Sequence, residues 1–134
     1  MSPSDQHLAV TRQYLQALER FAIGDELSRY FTPDVVQQEF PNRLAVQGMT
    51  RMLPELLAGA ERGKQLLSRQ RFEVKSALAD GNHVALEILW TGVLAVPVAG
   101  LPAGAEMRAH IATFLEFAGR RIKAQRNYDC YEPW

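Results

Sequence analysis

Residues 68–94, "SRQRFEVKSALADGNHVALEILWTGVL", read as two long strands around a turn. In the second half Val84, Leu86, Ile88 and Trp90 alternate with Ala85, Glu87 and Leu89. A period of two over this length is the pattern of a strand with one apolar face. That face makes an apolar wall, and Glu87 and Leu89 point away from it. Between the halves stands Asp80-Gly81-Asn82. Gly takes a positive φ without a Cβ clash, and Asp and Asn tolerate one, so the segment favours a hairpin.

The pattern continues toward the C-terminus. "VPVAGLPAGAE" (96–106) is a Pro/Gly/Ala loop, and "MRAHIATFLEF" (107–117) and "RRIKAQRNYDCYE" (120–132) are two more strands joined at Ala118-Gly119. Upstream of residue 68 the periodicity is helical. Ser4 is a plausible N-cap for a first helix carrying Leu8, Leu15, Leu18 and Ala22, flanked by Val10, Tyr14 and Phe21, with Gly24 placed to stop it. Asp25 can cap a short second helix through Leu27, Tyr30 and Phe31 before Pro33. "DVVQQEF" (34–40) is a β-branched run cut off by Pro41, and "QGMTRMLPELLAGAERG" (47–63) reads as a third helix. Its apolar face is Met52, Leu53, Leu56, Leu57 and Ala60, and Pro54 is tolerable only in its first turn. Helices first and long strands afterwards imply an α+β fold. Three N-terminal helices should pack on a strongly curved, mostly antiparallel sheet and leave a central pocket.

With 134 residues the chain is one domain, 1–134, able to bury a real core. Apolar residues make up 47% and charged residues 22%, ordinary for a globular protein. Lys plus Arg and Asp plus Glu balance at 15 each, so neither nucleic acid nor an anionic membrane is an expected partner. No uninterrupted apolar run reaches the ~18 residues of a membrane span. The opening "MSPSDQHLAV" has no basic region followed by an apolar core, so a cytoplasmic protein is expected. Cys130 is the single cysteine and reads as a small buried residue of a reducing compartment. His7, His83 and His110 are not at metal-ligand spacing, and no glycine pattern forms a phosphate cradle, so no metal or cofactor is expected.

Five pieces resemble one family in order and spacing: "YFTPDVVQQEFPN" (30–42), "VQGMTRM" (46–52), "LEILWTG" (86–92), "GLPAGAEMRAH" (100–110) and "LEFAGRRIKAQRNYDCYEPW" (115–134). Together they resemble the SnoaL-like branch of the nuclear transport factor 2-like superfamily, which also holds the ketosteroid isomerases. The resemblance covers nearly the whole chain. It implies a cone-shaped α+β half-barrel with a deep pocket, a homodimer through the outer sheet face, and functions that diverge widely.

On the last strand, parity puts Lys123, Gln125, Asn127, Asp129 and Tyr131 on one face and Ile122, Ala124, Arg126, Tyr128 and Cys130 on the other. In the resembled family the first of these faces lines the cavity, which makes Asp129, like Glu39, a candidate catalytic base and Asn127, with Tyr14, a ligand contact that would orient or polarise a substrate oxygen. The alternative role of Asp129 and Asn127 is to anchor the C-terminal segment or to sit in solvent. Glu39 stands where the ketosteroid isomerases keep the carboxylate that moves a proton α to a carbonyl. It is equally readable as a solvated acid at a strand end. Tyr14 matches their oxyanion-donating tyrosine, and Thr113 occupies the place of their second donor, a neutral carboxylic acid. Threonine is the weaker donor. Trp90 and Ile88 would complete an apolar wall.

The expected ligand is a small apolar molecule, with or without a carbonyl, handled by cofactor-independent acid/base chemistry of isomerase or cyclase type or bound passively. A fold used as a dimerising module is the third reading. The outward set Phe72, Val74, Leu89, Ala112 and Phe114 is more apolar surface than a small protein leaves to water, so a second copy is expected to cover it.

Overall fold

The computed structural model describes residues 2–134. In chain order the elements are α1 (Pro3–Glu19), α2 (Asp25–Ser28), β1 (Phe31–Glu39), β2 (Met49–Arg51), α3 (Leu53–Leu66), β3 (Leu67–Asp80), β4 (His83–Leu94), β5 (Glu106–Ala118) and β6 (Arg121–Tyr131). The six strands form one curved, unclosed sheet in the order β2-β1-β6-β5-β4-β3. Every neighbouring pair is antiparallel except β1 and β6, which run parallel. Helix α1 packs on β3 and β4, and α3 packs on β1 and β3. The α+β architecture expected from the order of helical and alternating patterns is the one observed.

The hairpin at 80–83 forms as its turn chemistry requires, with Asp80 opposite His83 and Gly81 at φ 59°. Val84, Leu86 and Ile88 are buried in the core with Leu115, Phe117 and Ile122 from β5 and β6. Helix α1 begins earlier than Ser4. Ser2 is the N-cap, its Oγ accepts from the Asp5 N–H, and Pro3 takes the first helical position, where a missing N–H costs nothing. The buried stripe is His7, Thr11, Tyr14, Leu15 and Ala17, so two polar residues lie under the helix. His7 is held there because its ring nitrogens sit 2.9 and 3.0 Å from the carbonyl oxygens of Gly81 and Gly119 and its ring stacks on Phe117 at 4.5 Å. One side chain thus ties α1 to both hairpin turns.

Gly24 does not end α1. Phe21 does so at φ 58°, with Phe21 N–H donating to Leu18 O and Ala22 N–H to Ala17 O, the paired bonds of a Schellman cap with phenylalanine in the left-handed position. Gly24, at φ 54°, instead precedes α2, a single turn anchored by buried Leu27. Asp25 is therefore the first residue of α2 rather than its cap. β1 starts at Phe31 and contains Pro33, so the expected extension of α2 through Phe31 is replaced by strand. The segment 47–63 also divides. Met49–Arg51 form β2 and only Leu53 onward is helical, with Pro54 in the first turn and half-exposed Met52 outside the helix.

Register shifts change which residues share a face. Lys123 is skipped between the pairs Glu116–Ala124 and Phe117–Ile122, so Ile122 turns into the core instead of joining Tyr128 and Cys130. Lys75 is skipped between Val74–Ile88 and Ser76–Glu87. Phe72 and Val74 pair with Trp90 and Ile88 on the concave side, so both leave the expected outward set, and Phe72 packs against the core. Another shift lies between Phe31 and Val36 in β1. Ala112 and Phe114 do face outward, paired with Tyr128 and Arg126. Cys130 lies on that outer face and is exposed, not buried.

Candidate functional site

Between the helices and the concave face of the sheet lies a cavity of about 300 Å³. Tyr14, Leu15 and Leu18 come from α1, Leu56 and Ala60 from α3, and Phe72, Leu86, Ile88, Trp90 and Ile111 from the sheet. These make the apolar body. A polar set enters from three adjacent strands: Gln37 and Glu39 on β1, Arg51 on β2, and Gln125, Asn127, Asp129 and Tyr131 on β6. Tyr14, Glu39, Ile88, Trp90, Thr113, Asn127 and Asp129 all line this one cavity. Strand geometry explains the convergence. Parallel pairing places Gln37 beside Gln125 and Glu39 beside Asn127, and antiparallel pairing places Thr113 opposite Asn127 and Ile111 opposite Asp129. Laterally paired residues share a face.

Glu39 is held on both oxygens. Arg51 Nη1 donates to Oε1 at 3.0 Å, and Asn42 Nδ2 donates to Oε2 at 2.8 Å. Both partners depend on the tight return from β1 to β2. Asn42 Oδ1 accepts from the N–H groups of Leu44 and Ala45, shaping the loop. Gly48 closes it at φ 72°, where a Cβ would lie 2.7 Å from Glu39 O. Arg51 was not a candidate in the sequence because residues 47–63 carry helical periodicity, and Asn42 was not because it follows Pro41 in the loop after β1. The three-residue β2 is too short to show alternation of its own.

Asp129 is the opposite case. Its Oδ1 is buried and has no hydrogen-bond partner among the described residues. Burial pushes its carboxyl up to about 6, the Glu39 charge adds to the rise, and the Arg51 guanidinium opposes it. Beside it, burial raises the Tyr131 phenol, and the charges of Asp129 and Glu39 act in the same direction. Tyr131 meets the Trp90 ring edge-on at 6.2 Å. Trp90 is pinned by its Nε1, which donates to Gln70 Oε1 at 3.0 Å, while Gln70 Nε2 donates to Leu18 O at 2.7 Å.

At the inner end of the polar strip, Tyr14 is buried and its hydroxyl donates to Gln125 Oε1 at 3.1 Å. Burial lifts its phenol to about 12, against the lowering effect of that hydrogen bond. No group of three or more His, Cys, Asp or Glu side chains that could hold a metal ion occurs among the described residues. His83 and His110 are exposed and pair with Glu116 and Glu132.

The model of the SnoaL-like domain matches residues 11–125. The chain belongs to the SnoaL-like family. Solved structures of the same fold include AclR from Streptomyces galilaeus, at 20% identity and TM-score 0.77 over 94% of this chain and 90% of that one. A SnoaL-like polyketide cyclase from Agrobacterium tumefaciens aligns at 16% identity and TM-score 0.71, covering 92% and 90%. A protein of ketosteroid isomerase-like fold from Catenulispora acidiphila, solved in complex with trimethylamine, aligns at 19% identity and TM-score 0.68, covering 90% and 85%. Among curated proteins none matches significantly. At these identities the similarity is one of fold. Among the described residues of this SnoaL-like chain no helix is long and apolar enough to cross a membrane.

Proposed function

We propose that this SnoaL-like protein binds a small apolar ketone in its cavity and moves a proton at the carbon beside the carbonyl, with Asp129 as the base. One observation carries the reading: of the two cavity carboxylates, Glu39 is bonded on both oxygens, whereas Asp129 keeps a buried oxygen without a partner among the described residues. A group that must take a proton needs a lone pair not already committed to a hydrogen bond, and Asp129 lines the cavity. A carboxyl near 6 is also largely ionised at neutral pH yet more basic than a surface aspartate.

In the proposed step Asp129 takes the proton as the C–H bond breaks, and the electron pair moves through the carbon framework onto the carbonyl oxygen as an enolate. Where the ketone carries a carbon–carbon double bond next to the acidic carbon, returning the proton to the far end of the conjugated enolate moves that double bond and isomerises the ketone. Attack of the enolate carbon on a second carbonyl of the same molecule closes a ring, and the proton held by Asp129 passes to the new alkoxide. No cofactor enters either route. The polyketide cyclase among the fold's neighbours is consistent with this class of chemistry.

The test uses 2-tetralone, a flat bicyclic ketone with acidic C–H bonds, in D₂O. Wild type and Glu39→Gln should accelerate deuterium uptake beside the carbonyl, and Asp129→Asn should not. Uptake unaffected by Asp129→Asn removes the base. A passive pocket is the competing reading. It is favoured by Thr113 standing where an acidic donor would be needed and by the engagement of the Tyr14 hydroxyl with Gln125.

The proposed assembly is a two-fold homodimer through the outer sheet face. There Phe40 stacks on Tyr128 at 4.4 Å, Phe114 meets Tyr128 edge-on at 5.9 Å, and Val36 and Phe114 are each 38% exposed. Light scattering at micromolar concentration should return twice the chain mass, and a monomer mass excludes this arrangement. A cytoplasmic setting fits the exposed, unpaired Cys130.

A further inference from the structure

We infer that the group binding the ligand's carbonyl oxygen is the Asn127 side-chain amide, and that Tyr14, Gln125 and Thr113 are positioning residues that force its N–H₂ into the cavity. The inference rests on the apolar-ketone reading above and identifies which polar feature of the ligand is read, and by what.

The residues form a one-way chain. Tyr14 O–H donates to Gln125 Oε1 at 3.1 Å, Gln125 Nε2 donates to Asn127 Oδ1 at 3.1 Å, and Thr113 Oγ1–H donates to the same Oδ1 at 3.0 Å. Each hydroxyl has this single hydrogen-bond partner among the described residues. The direction follows from donor and acceptor supply. Two buried hydroxyl protons need acceptors, and the two carboxamide oxygens supply them. Rotating both amides by half a turn would bring N–H₂ groups against Tyr14 and Thr113 and leave their hydroxyl protons without an acceptor. Asn127 Oδ1 therefore receives two donors and stays against the wall.

What remains is Asn127 Nδ2, which makes no hydrogen bond among the described residues and is not sealed from the cavity that Asn127 lines. The Tyr14 proton, by contrast, is consumed inside the wall. The tyrosine hydroxyl acts here through two other side chains. Asn127 and Asp129 alternate on one strand face, roughly 6.5 Å apart along it. A donor stands beside an unpartnered acceptor. The complementary ligand is a neutral ketone with its oxygen at Asn127 and an enolisable C–H, or an enol hydroxyl, toward Asp129. A carboxylate ligand would meet Asp129 and Glu39, so it is disfavoured.

The experiment compares 2-tetralone with tetralin, its hydrocarbon counterpart of nearly the same shape, at pH 7.5. Affinities of both are measured for wild type, Asn127→Leu, Gln125→Glu, Thr113→Val and Tyr14→Phe. In Gln125→Glu the new carboxylate cannot donate to Asn127 Oδ1, so the Asn127 amide should turn to donate to it and present oxygen to the cavity. The ketone-to-hydrocarbon affinity ratio should fall about threefold to tenfold in Asn127→Leu and Gln125→Glu, the worth of one neutral hydrogen bond. It should fall less in Thr113→Val and Tyr14→Phe, where one link of the chain survives. A second readout is the ¹³C shift of carbonyl-labelled 2-tetralone. It should be deshielded in wild type and lose that deshielding in Asn127→Leu and Gln125→Glu.

If both compounds bind and the ratio and shift are unchanged in those two variants, the donor assignment is wrong while the pocket reading stands. Deshielding lost in Tyr14→Phe but kept in Gln125→Glu would make tyrosine the donor and overturn the inference. Binding of neither compound to wild type overturns the ketone pocket and the donor together. Ketone selectivity that is retained in wild type and lost in Asn127→Leu, with no deuterium uptake, supports Asn127 as the donor of a passive site.

Discussion

Glu39 and Asp129 are carboxylates on adjacent, parallel strands, both facing the same cavity, yet their surroundings have opposite consequences. Glu39 sits where the chain turns back on itself, and the turn delivers Asn42 and Arg51 to its two oxygens. Asp129 lies two residues past the end of the β1–β6 pairing, with apolar Ile111 of β5 opposite it, and nothing among the described residues is delivered to Oδ1. The first is a latch that closes the β1–β2 loop. The second is an acid kept dry and unpaired, which is costly to fold around and useful for moving protons.

The contrast breaks most severely if Glu39 loses its cation. Arg51→Met leaves a mostly buried carboxylate, 15% exposed, with Asn42 alone. Urea unfolding at pH 7 should show a loss of about 3 kcal/mol, near the lower end for a broken buried pair. The same substitution removes the charge that opposes the rise at Asp129, so the Asp129 carboxyl should titrate still higher.

Removing the other acid should do the reverse. The folded Asp129 carboxyl lies near 6 and the unfolded one near 3.8, so its contribution to stability is full below about pH 4 and lost as pH rises through about 6. Asp129→Asn should therefore gain about 2 to 3 kcal/mol over wild type above pH 7 and converge with it near pH 4, read from chemical unfolding at several pH values. No gain at neutral pH would mean that Asp129 has a partner after all.

Glu39→Gln sharpens the electrostatic part of the comparison. With the Glu39 charge gone and Arg51 unpaired, the Asp129 carboxyl should fall by about one unit, seen by ¹³C NMR titration. The mildest test opens the apolar shelter. A Cβ at Gly92 would collide with the Trp90 ring, so Gly92→Ala must swing the indole and break its bond to Gln70. A cost of about 1 kcal/mol is expected, together with a lower Asp129 titration as water reaches it through the displaced wall.

Much of this was readable in the chain. Alternation in 83–94, the Asp-Gly-Asn turn and helical spacing before residue 66 are local properties, and local properties set the element types and the α+β class. Parity alone put Gln125, Asn127, Asp129 and Tyr131 on one face of β6, because no bulge interrupts that stretch. Tertiary structure decided the rest, wherever a property depends on a partner strand. The skipped residues Lys75 and Lys123 move Phe72 and Ile122 to the concave side, and a bulge exists only relative to the strand it fails to pair with. β2 is stable as three residues only because β1 supplies its hydrogen bonds. Its placement alone turns Arg51 from a helix residue into the partner of Glu39. Sequence could nominate two acids. Which one is paired and which is left bare is a fact about atoms distant in the chain, fixed when β1, β2 and β6 come together.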